Sequence, residues 1–402
     1  MDRSTAIHTH FTRHELFRGF SASAIERIVA AGKMRRLQSG EVLIPYGVKN
    51  EHLYLIIDGE LQVILEKEGT VVSIPIQAGE CLGEISLIEG TPTTAKAICQ
   101  SDSRVLVIPE TVFWEQIALS QQGVKNLMHI MAQRLHRNNQ ALIKEIAAQL
   151  KYKQLERDLA TAGNIQSNIV PDGSKLFPHR SEIDIYACTQ QARAVGGDFY
   201  DAIALNQDHI YIAIGDATGK GMPAALFMMR TFTSLRFLVS NYPNFADVLP
   251  ALNNNLARKN DDMMFASIWA GILNVRTGLL QYASGGHHPP FAALKGDSFR
   301  IMQPPSGPIV GVVEDAAFEL ATLQMEAGDT IFLYTDGLPE ALNKEQVPFG
   351  EARIQKALNV RLHGSMRTLV DELKSTVTEF VDGAPTHDDL TMLALRYKGV
   401  QV

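Results

Sequence analysis

Hydrophobic positions change period twice along the 402-residue chain, and each change marks a different kind of element. From about Phe11 to Gly123, a short helical opening at Ser23 to Ala31 gives way to apolar runs cut by glycine. These are Leu37 to Ile44 around Gly40, Leu53 to Ile57 ahead of Gly59, and Leu61 to Leu65. Short strand-like runs joined by glycine turns predict a small antiparallel β-roll or jelly roll. From Val124 the spacing becomes three and four: Leu127, Ile130, Met131, Leu135, Leu142, Ile146 and Leu150, then Leu155, Leu159, Ala162, Gln166 and Ile169. No proline interrupts this stripe before Pro171, so it predicts one long helix. Asn138 and Asn139 sit within the stripe, and its phase slips between Ile146 and Leu155. Polar residues and stutters of this kind set register and partner number in coiled coils, so a homodimer through a parallel coiled coil is expected. Gly163 costs about 1 kcal/mol in a helix interior and predicts a local soft point.

The last stretch mixes both periods. Strand-like runs at Ile183 to Cys188, His209 to Ile214, Ala266 to Leu273, Gly278 to Ala283, Thr330 to Tyr334 and Leu390 to Leu395 alternate with helical stretches at Pro223 to Asn241 and Phe245 to Lys259. This order predicts a layered α+β fold with two packed antiparallel sheets and helices outside. The expected division is residues 1–123, a linker over residues 124–178, and residues 179–402.

Composition narrows the class. A hydrophobic content of 46% with 20% charged residues is that of a globular protein, and a formal charge of −7 gives no electrostatic footprint for nucleic acid. Met1 to His14 has no apolar core of the secretory type and no apolar run reaches membrane-spanning length, so a cytoplasmic protein without a membrane partner is expected. Cys81, Cys99 and Cys188 are scattered without Cys-x-x-Cys spacing, which speaks against disulfide scaffolding and zinc.

The candidate chemistry lies in aspartates at strand ends. Asp216 follows Ile212-Ala-Ile-Gly215 and precedes a glycine-rich turn; Asp198 sits in Val195-Gly-Gly-Asp-Phe-Tyr-Asp201; Asp336 follows Tyr334-Thr335; Asp388 and Asp389 border the strand from Leu390. Each alone is ordinary turn chemistry. Together they describe carboxylates delivered from four segments, which stay ionised side by side only with cations between them, so a two-metal centre is expected. Hard oxygen donors favour Mg or Mn over Zn.

In the first segment, glycines at 40, 59, 79 and 83 and the run Gly83-Glu-Ile-Ser-Leu-Ile-Glu-Gly-Thr-Pro92 resemble the cyclic-nucleotide-binding fold and its phosphate-binding cassette. The resemblance implies a small-ligand site at Gly83, Glu84, Ser86, Thr93 and Thr94, with Glu84 accepting from a ribose hydroxyl. The family's phosphate-binding arginine falls on Thr93, whose hydroxyl lacks a charge-assisted contact worth about 1.5–3 kcal/mol. A retooled pocket or an interaction module is therefore expected in place of an ordinary cyclic AMP or GMP sensor.

In the last segment, six motifs occur in order: Val195 to Asp201, Gly215 to Ala225, Gly285 to Pro290, Gly307 to Gly311, Leu333 to Ala341, and Asp388 to Thr391. They resemble the SpoIIE/RsbU branch of the metal-dependent (PPM-type) protein serine/threonine phosphatases. The resemblance implies two Mn or Mg ions, with Asp216 bridging them and the Ala217 carbonyl as a further ligand. Asp336 and Asp388 would complete one ion and Asp198 would hold the other, while Asp389 adjoins Asp388 and is not separable from it by sequence as a ligand. Arg193, five residues before Asp198, would grip the phosphate. His287 and His288, between glycines and Pro289-Pro290, read as parts of a rigid turn. The resemblance further implies hydrolysis of phosphoserine or phosphothreonine on an anti-sigma-factor antagonist (STAS-like) protein in partner switching, under an N-terminal sensor. The alternatives are a non-catalytic scaffold and a cyclic-nucleotide-responsive one.

Overall fold

The computed structural model describes residue 11, residues 14–67 and residues 70–400. Most of the stretch from Met1 to His14, expected to carry no secretory signal, lies outside the described residues. The chain folds as two compact units, Met1–Leu150 and Lys151–Val402.

The first unit opens with α1 (Ala22–Ala31), whose first turn is capped by Ser21 Oγ accepting from the Ala24 amide at 3.3 Å. Eight strands follow: β1 (Lys33–Leu37), β2 (Val42–Ile44), β3 (His52–Asp58), β4 (Glu60–Lys67), β5 (Thr70–Gln77), β6 (Cys81–Leu82), β7 (Lys96–Cys99) and β8 (Ser103–Pro109). They form two four-stranded sheets of order β1-β8-β3-β6 and β2-β7-β4-β5, the expected β-roll. Leu37, Ile44, Ile56, Leu61, Ile76 and Val105 fill the space between the sheets. The cassette helix α2 (Glu84–Glu89) is bracketed by Gly83 and Gly90, both left-handed. A side chain at Gly83 would stand 2.5 Å from the His52 carbonyl, so both the conformation and the space demand glycine.

Helix α3 (Gln121–Ser167) starts in this unit, packing Leu127 and Ile130 into the core beside Phe17 and Ile28. Buried Asn126 fixes its first turns by donating to the carbonyls of Leu16 and Arg18 at 2.9 and 2.8 Å. From Leu135 to Leu155 the apolar stripe is uncovered: Leu135, Leu142, Ile143, Ile146, Leu150 and Leu155 are all exposed.

The second unit is a four-layer sandwich. Its strands are β9 (Ile183–Gln190), β10 (Asp198–Ala204), β11 (His209–Ala217), β12 (Ala266–Asn274), β13 (Leu279–Gly285), β14 (Phe291–Ala293), β15 (Arg300–Ile301), β16 (Leu320–Gln324), β17 (Thr330–Tyr334) and β18 (Leu390–Tyr397). They build two five-stranded sheets, β10-β11-β12-β13-β16 and β15-β14-β17-β18-β9, every named pair antiparallel. Ile212, Ile214, Trp269, Leu333 and Leu393 pack between the sheets. Outside the first sheet lie α4 (Met222–Asn241) and α5 (Val248–Ala257); outside the second lie α6 (Gly350–Val360) and α7 (Met366–Val381). Strands buried on both faces explain why β11 and β17 read as apolar runs rather than clean alternations.

One expectation is corrected here. Gly163 is not a soft point: α3 continues through it, and a Cβ there would meet the Ala194 carbonyl oxygen at 2.0 Å. Glycine is required for close approach of helix and loop. The cysteines are free; Cys81 and Cys99 are buried and Cys188 partly so. Among the described residues, no helix is long and apolar enough to cross a membrane.

Candidate active site

Strand direction gathers the aspartates. β10 begins at Asp198 and β11 ends at Ala217, so antiparallel pairing sets Asp198 directly opposite Asp216. In the second sheet, β17 ends just before Thr335-Asp336, and β18 begins just after Asp388-Asp389, with Tyr334 opposite Met392. Thr335 ties the two sheets at this rim. Its hydroxyl donates to Asp198 Oδ2 at 2.7 Å and accepts from the Thr391 amide at 3.0 Å. Packing two sheets face to face thus places acidic turns from four distant segments at one end of the sandwich.

The electrostatics record the crowding. Burial, then the carboxylates of Asp336 and Asp388, push Asp216 up to about 7, while a hydrogen bond with Asp198 pulls the other way. Asp198 is 3% exposed and lies well above the usual carboxylate range, through burial first and Asp216 second. Asp336 is raised by burial and by Asp388.

Asp388 and Asp389, inseparable by sequence, part company here. Asp389 turns inward and is bound by backbone: Oδ1 accepts from the Ala192 amide at 2.7 Å and Oδ2 from the Gly197 amide at 2.8 Å. It organises the turn ahead of Asp198. Asp388 faces outward and pairs with Lys220 Nζ at 2.8 Å, and the same ammonium donates to the His387 carbonyl at 2.6 Å. Exposed Arg193 shares a small hollow with Gly221, Lys220 and Asp388.

The carboxylates are close enough to perturb one another, yet among the described residues no three His, Cys, Asp or Glu side chains form a ready-made cage for a metal ion. Three of the five are already engaged, Asp389 by amides, Asp388 by Lys220 and Asp198 by the Thr335 hydroxyl. The donor set nevertheless fits hard divalent cations. It is all oxygen, and Asp216 and Asp198, raised by burial first and by neighbouring carboxylates after it, are held in a setting that a bound cation would relieve.

Sequence reasoning passed over Thr335, Lys220 and Gln166 as site residues; their roles depend on neighbours distant in the chain. His287 is structural, as expected. It is buried, with Nδ1 on Ser267 Oγ at 2.8 Å and Nε2 on the Tyr334 carbonyl at 3.0 Å. Burial, chiefly, holds it down at about 3, so it is neutral and donates through Nε2.

In the first unit a cavity of about 200 Å³ opens beside the cassette, lined by Ile44, Val63, Leu65, Ile76, Leu82 and Ala97 and by Gly83, Glu84, Ser86, Thr93 and Thr94. Thr93 has its hydroxyl committed, donating to the Pro45 carbonyl at 2.6 Å and accepting from the Val48 amide at 3.1 Å. Glu84 is 1% exposed and bound by Arg134 of α3 at 2.6 Å. Ser86 Oγ accepts from Asn50 at 3.0 Å and donates to the Gly83 carbonyl at 3.1 Å. The hydroxyls of Thr93 and Ser86 and one oxygen of Glu84 therefore already have protein partners, whereas Glu84 Oε2 is buried without one. Calorimetry of the full chain with cyclic AMP and cyclic GMP is expected to show no saturable heat at micromolar concentrations; a saturable isotherm would refute this.

Comparison with known proteins agrees with both folds. Residues 206–398 match the family model described as Stage II sporulation protein E (SpoIIE), and residues 34–120 match the cyclic nucleotide-binding domain. Residues 206–398 are thus similar to the SpoIIE family and residues 34–120 to the cyclic nucleotide-binding domain. Protein IcfG of Synechocystis sp. is 29% identical over 279 residues, which cover 62% of this chain and 43% of that protein. Phosphoserine phosphatase RsbU of Bacillus subtilis is 27% identical over 246 residues, covering 61% of this chain and 72% of RsbU. The SiaA-PP2C domain of Pseudomonas aeruginosa shares the fold with a TM-score of 0.55 at 20% identity, over 61% of this chain and 98% of that domain.

Proposed function

We propose that this chain is a divalent-metal-dependent protein phosphatase that hydrolyses phosphoserine or phosphothreonine on a partner protein. The observation that carries the reading is the set of aspartates at one rim, with Asp216 lifted to about 7 by burial and by its neighbours. Such a cluster is costly to the fold unless cations complete it. Similarity to RsbU, a phosphoserine phosphatase by name, supports the reaction class. By resemblance to that branch, the partner is a phosphorylated anti-sigma-factor antagonist, and control comes from the N-terminal domain. The exposed stripe of α3 is the surface through which two copies would pair as a coiled coil.

In this reading Asp216, the Ala217 carbonyl, Asp198, Asp336 and Asp388 are the groups that would hold two Mn or Mg ions. When bound, the ions polarise the phosphoryl oxygens and strengthen water as an acid. The chain's own residues do the rest. Thr335 keeps Asp198 ionisable and aimed by donating to its Oδ2. Lys220, whose ammonium pairs with Asp388 at the rim, would meet phosphate charge there. Arg193 approaches the same phosphate from the exposed turn, where a planar cation can offer two parallel donors. His287, neutral with both nitrogens engaged, is left out of proton transfer.

The test is hydrolysis of p-nitrophenyl phosphate and of a phosphoserine protein by the full chain, with Mn²⁺, with Mg²⁺ and after chelation. Turnover that requires a divalent ion is expected. Equal, background-level rates in all three conditions would overturn the proposal and favour a docking scaffold.

A further inference from the structure

The last turns of α3 touch the acidic rim through one side chain. Gln166 is 3% exposed, and its amide closes a two-bond ring with the Gly196 peptide: Nε2 donates to the Gly196 carbonyl at 2.7 Å and Oε1 accepts from the Gly196 amide at 3.0 Å. Gln191 Nε2 adds a second donor to the same Oε1 at 3.1 Å. An amide so buried and so fully paired in a loop contact is a specific fit, since losing any of these bonds would strand a polar group.

The peptide it grips lies against the site. A side chain at Gly196 would stand 2.2 Å from Asp389 Oδ2, and the next amide, Gly197, donates to that oxygen. The Gly197 carbonyl accepts from the Ala217 amide at 3.1 Å, which ties the turn to the end of β11, and Asp198 follows immediately. One helical turn before Gln166, Gly163 rests on the Ala194 carbonyl of the same loop. Gly163 and Gln166, three residues apart on one helix face, thus seat residues 194–196 at two points.

We propose that Gln166 is a positioning residue for the divalent-ion site. It holds the turn before Asp198 in the register that sets Asp198 opposite Asp216, so ion affinity depends on the end of α3 being seated on residues 194–196. The inference rests on the metal-dependent reading above and adds a residue that touches neither ion nor substrate. A merely structural glutamine would affect stability alone; a positioning one changes ion affinity in the folded protein.

The experiment is Mn²⁺ titration of the full chain by calorimetry, with the metal alone as probe and thermal unfolding without metal measured in parallel. Gln166→Leu keeps the side-chain volume and removes every bond; it is expected to weaken Mn²⁺ binding by about 10- to 100-fold, the usual effect of losing a group that orients a ligand. Gln166→Glu can still accept from the Gly196 amide and is expected to weaken binding by a smaller factor, and it keeps the test open should the leucine variant not fold. Gly163→Ala, which lifts the helix from Ala194, is expected to shift affinity in the same direction. Gln154→Leu, whose amide binds Asp158 on an exposed stretch of the same helix, serves as control and is expected to match wild type. Wild-type Mn²⁺ affinity in the folded Gln166 variants would overturn the proposal. A wild-type chain that takes up no Mn²⁺ would overturn the metal-dependent reading itself, a distinct result.

Discussion

Asp216→Asn is expected to cut divalent-dependent phosphatase turnover by more than about 100-fold while making the metal-free protein more stable. Both effects come from one carboxylate. Asp216 titrates at about 7 in the folded protein against 3.8 for an ordinary aspartate, because burial and the charges of Asp336 and Asp388 oppose its ionisation. The folded state therefore binds this proton more tightly than the unfolded chain does. As pH rises above the unfolded value the unfolded chain gives up its proton first, so metal-free stability falls from about pH 4 and levels off above about pH 7. Asparagine cannot ionise and escapes that penalty, worth on the order of 4 kcal/mol above about pH 7.

Divalent ions invert the order. Anything that binds only the folded state stabilises it by mass action, about 2.7 kcal/mol at a hundredfold excess over Kd. Wild type should gain this from Mn²⁺ near pH 8 and Asp216→Asn should gain little. Thermal unfolding of both proteins at about pH 5 and pH 8, with chelator and with Mn²⁺, reads all of these terms. Should the metal-free variant prove less stable than wild type near pH 8, Asp216 would be a structural partner and not a frustrated ligand.

The parts of the molecule that were legible in the sequence are those whose signal is local. β11 and β17 announce themselves as aliphatic runs ending in Gly-Asp or Thr-Asp, and the three-four spacing of α3 survives 47 residues without a proline. The rim aspartates follow from the same strands, because a strand end fixes where its last side chain can go. α7 also carried a local signal that the reading passed over: Ser365 caps it by accepting from the Thr368 amide, and Leu369, Val370, Leu373 and Val377 form its buried stripe. What was not legible depends on distance in the chain. Asp388 and Asp389 are adjacent and chemically identical; only the amides of Ala192 and Gly197, nearly 200 residues earlier, separate an inward from an outward role. Gly163 read as weakness because its reason, the Ala194 carbonyl, lies on another segment.

Arg134 is the extreme case of such a long-range role, and its removal is expected to have the largest effect on the first unit. It follows Leu127 and Ile130 on the packed face of α3, its side chain is only 14% exposed, and it closes on Glu84, 50 residues away, whose side chain is 2% exposed. The guanidinium also donates to the Cys81 carbonyl at 2.6 Å. Burial pushes Glu84 above the usual carboxylate range, and Arg134 is the main force opposing that rise. Arg134→Ala leaves a buried carboxylate without its partner, a change that typically costs about 3–5 kcal/mol. Part of the cost is avoided wherever Glu84 takes up a proton. With its folded titration point raised further above the unfolded one, the variant is closest to wild type at low pH and loses stability as pH rises toward that point.

A pair of variants separates charge burial from simple loss of packing. Arg134→Met with Glu84→Gln removes both charges and keeps most of the volume, and is expected to recover the greater part of the loss. Trp114 lies in the first unit and Trp269 in the second, the only two tryptophans in the chain, so a Trp269→Phe background lets Trp114 fluorescence report the first unit within the full protein. Denaturant titrations at about pH 5.5 and pH 8 then give the comparison. A loss in Arg134→Ala below about 1 kcal/mol at the higher pH would place the pair among ion pairs worth little to the fold. The expected larger loss, restored by the double variant, would show that the cassette glutamate is held by α3 itself.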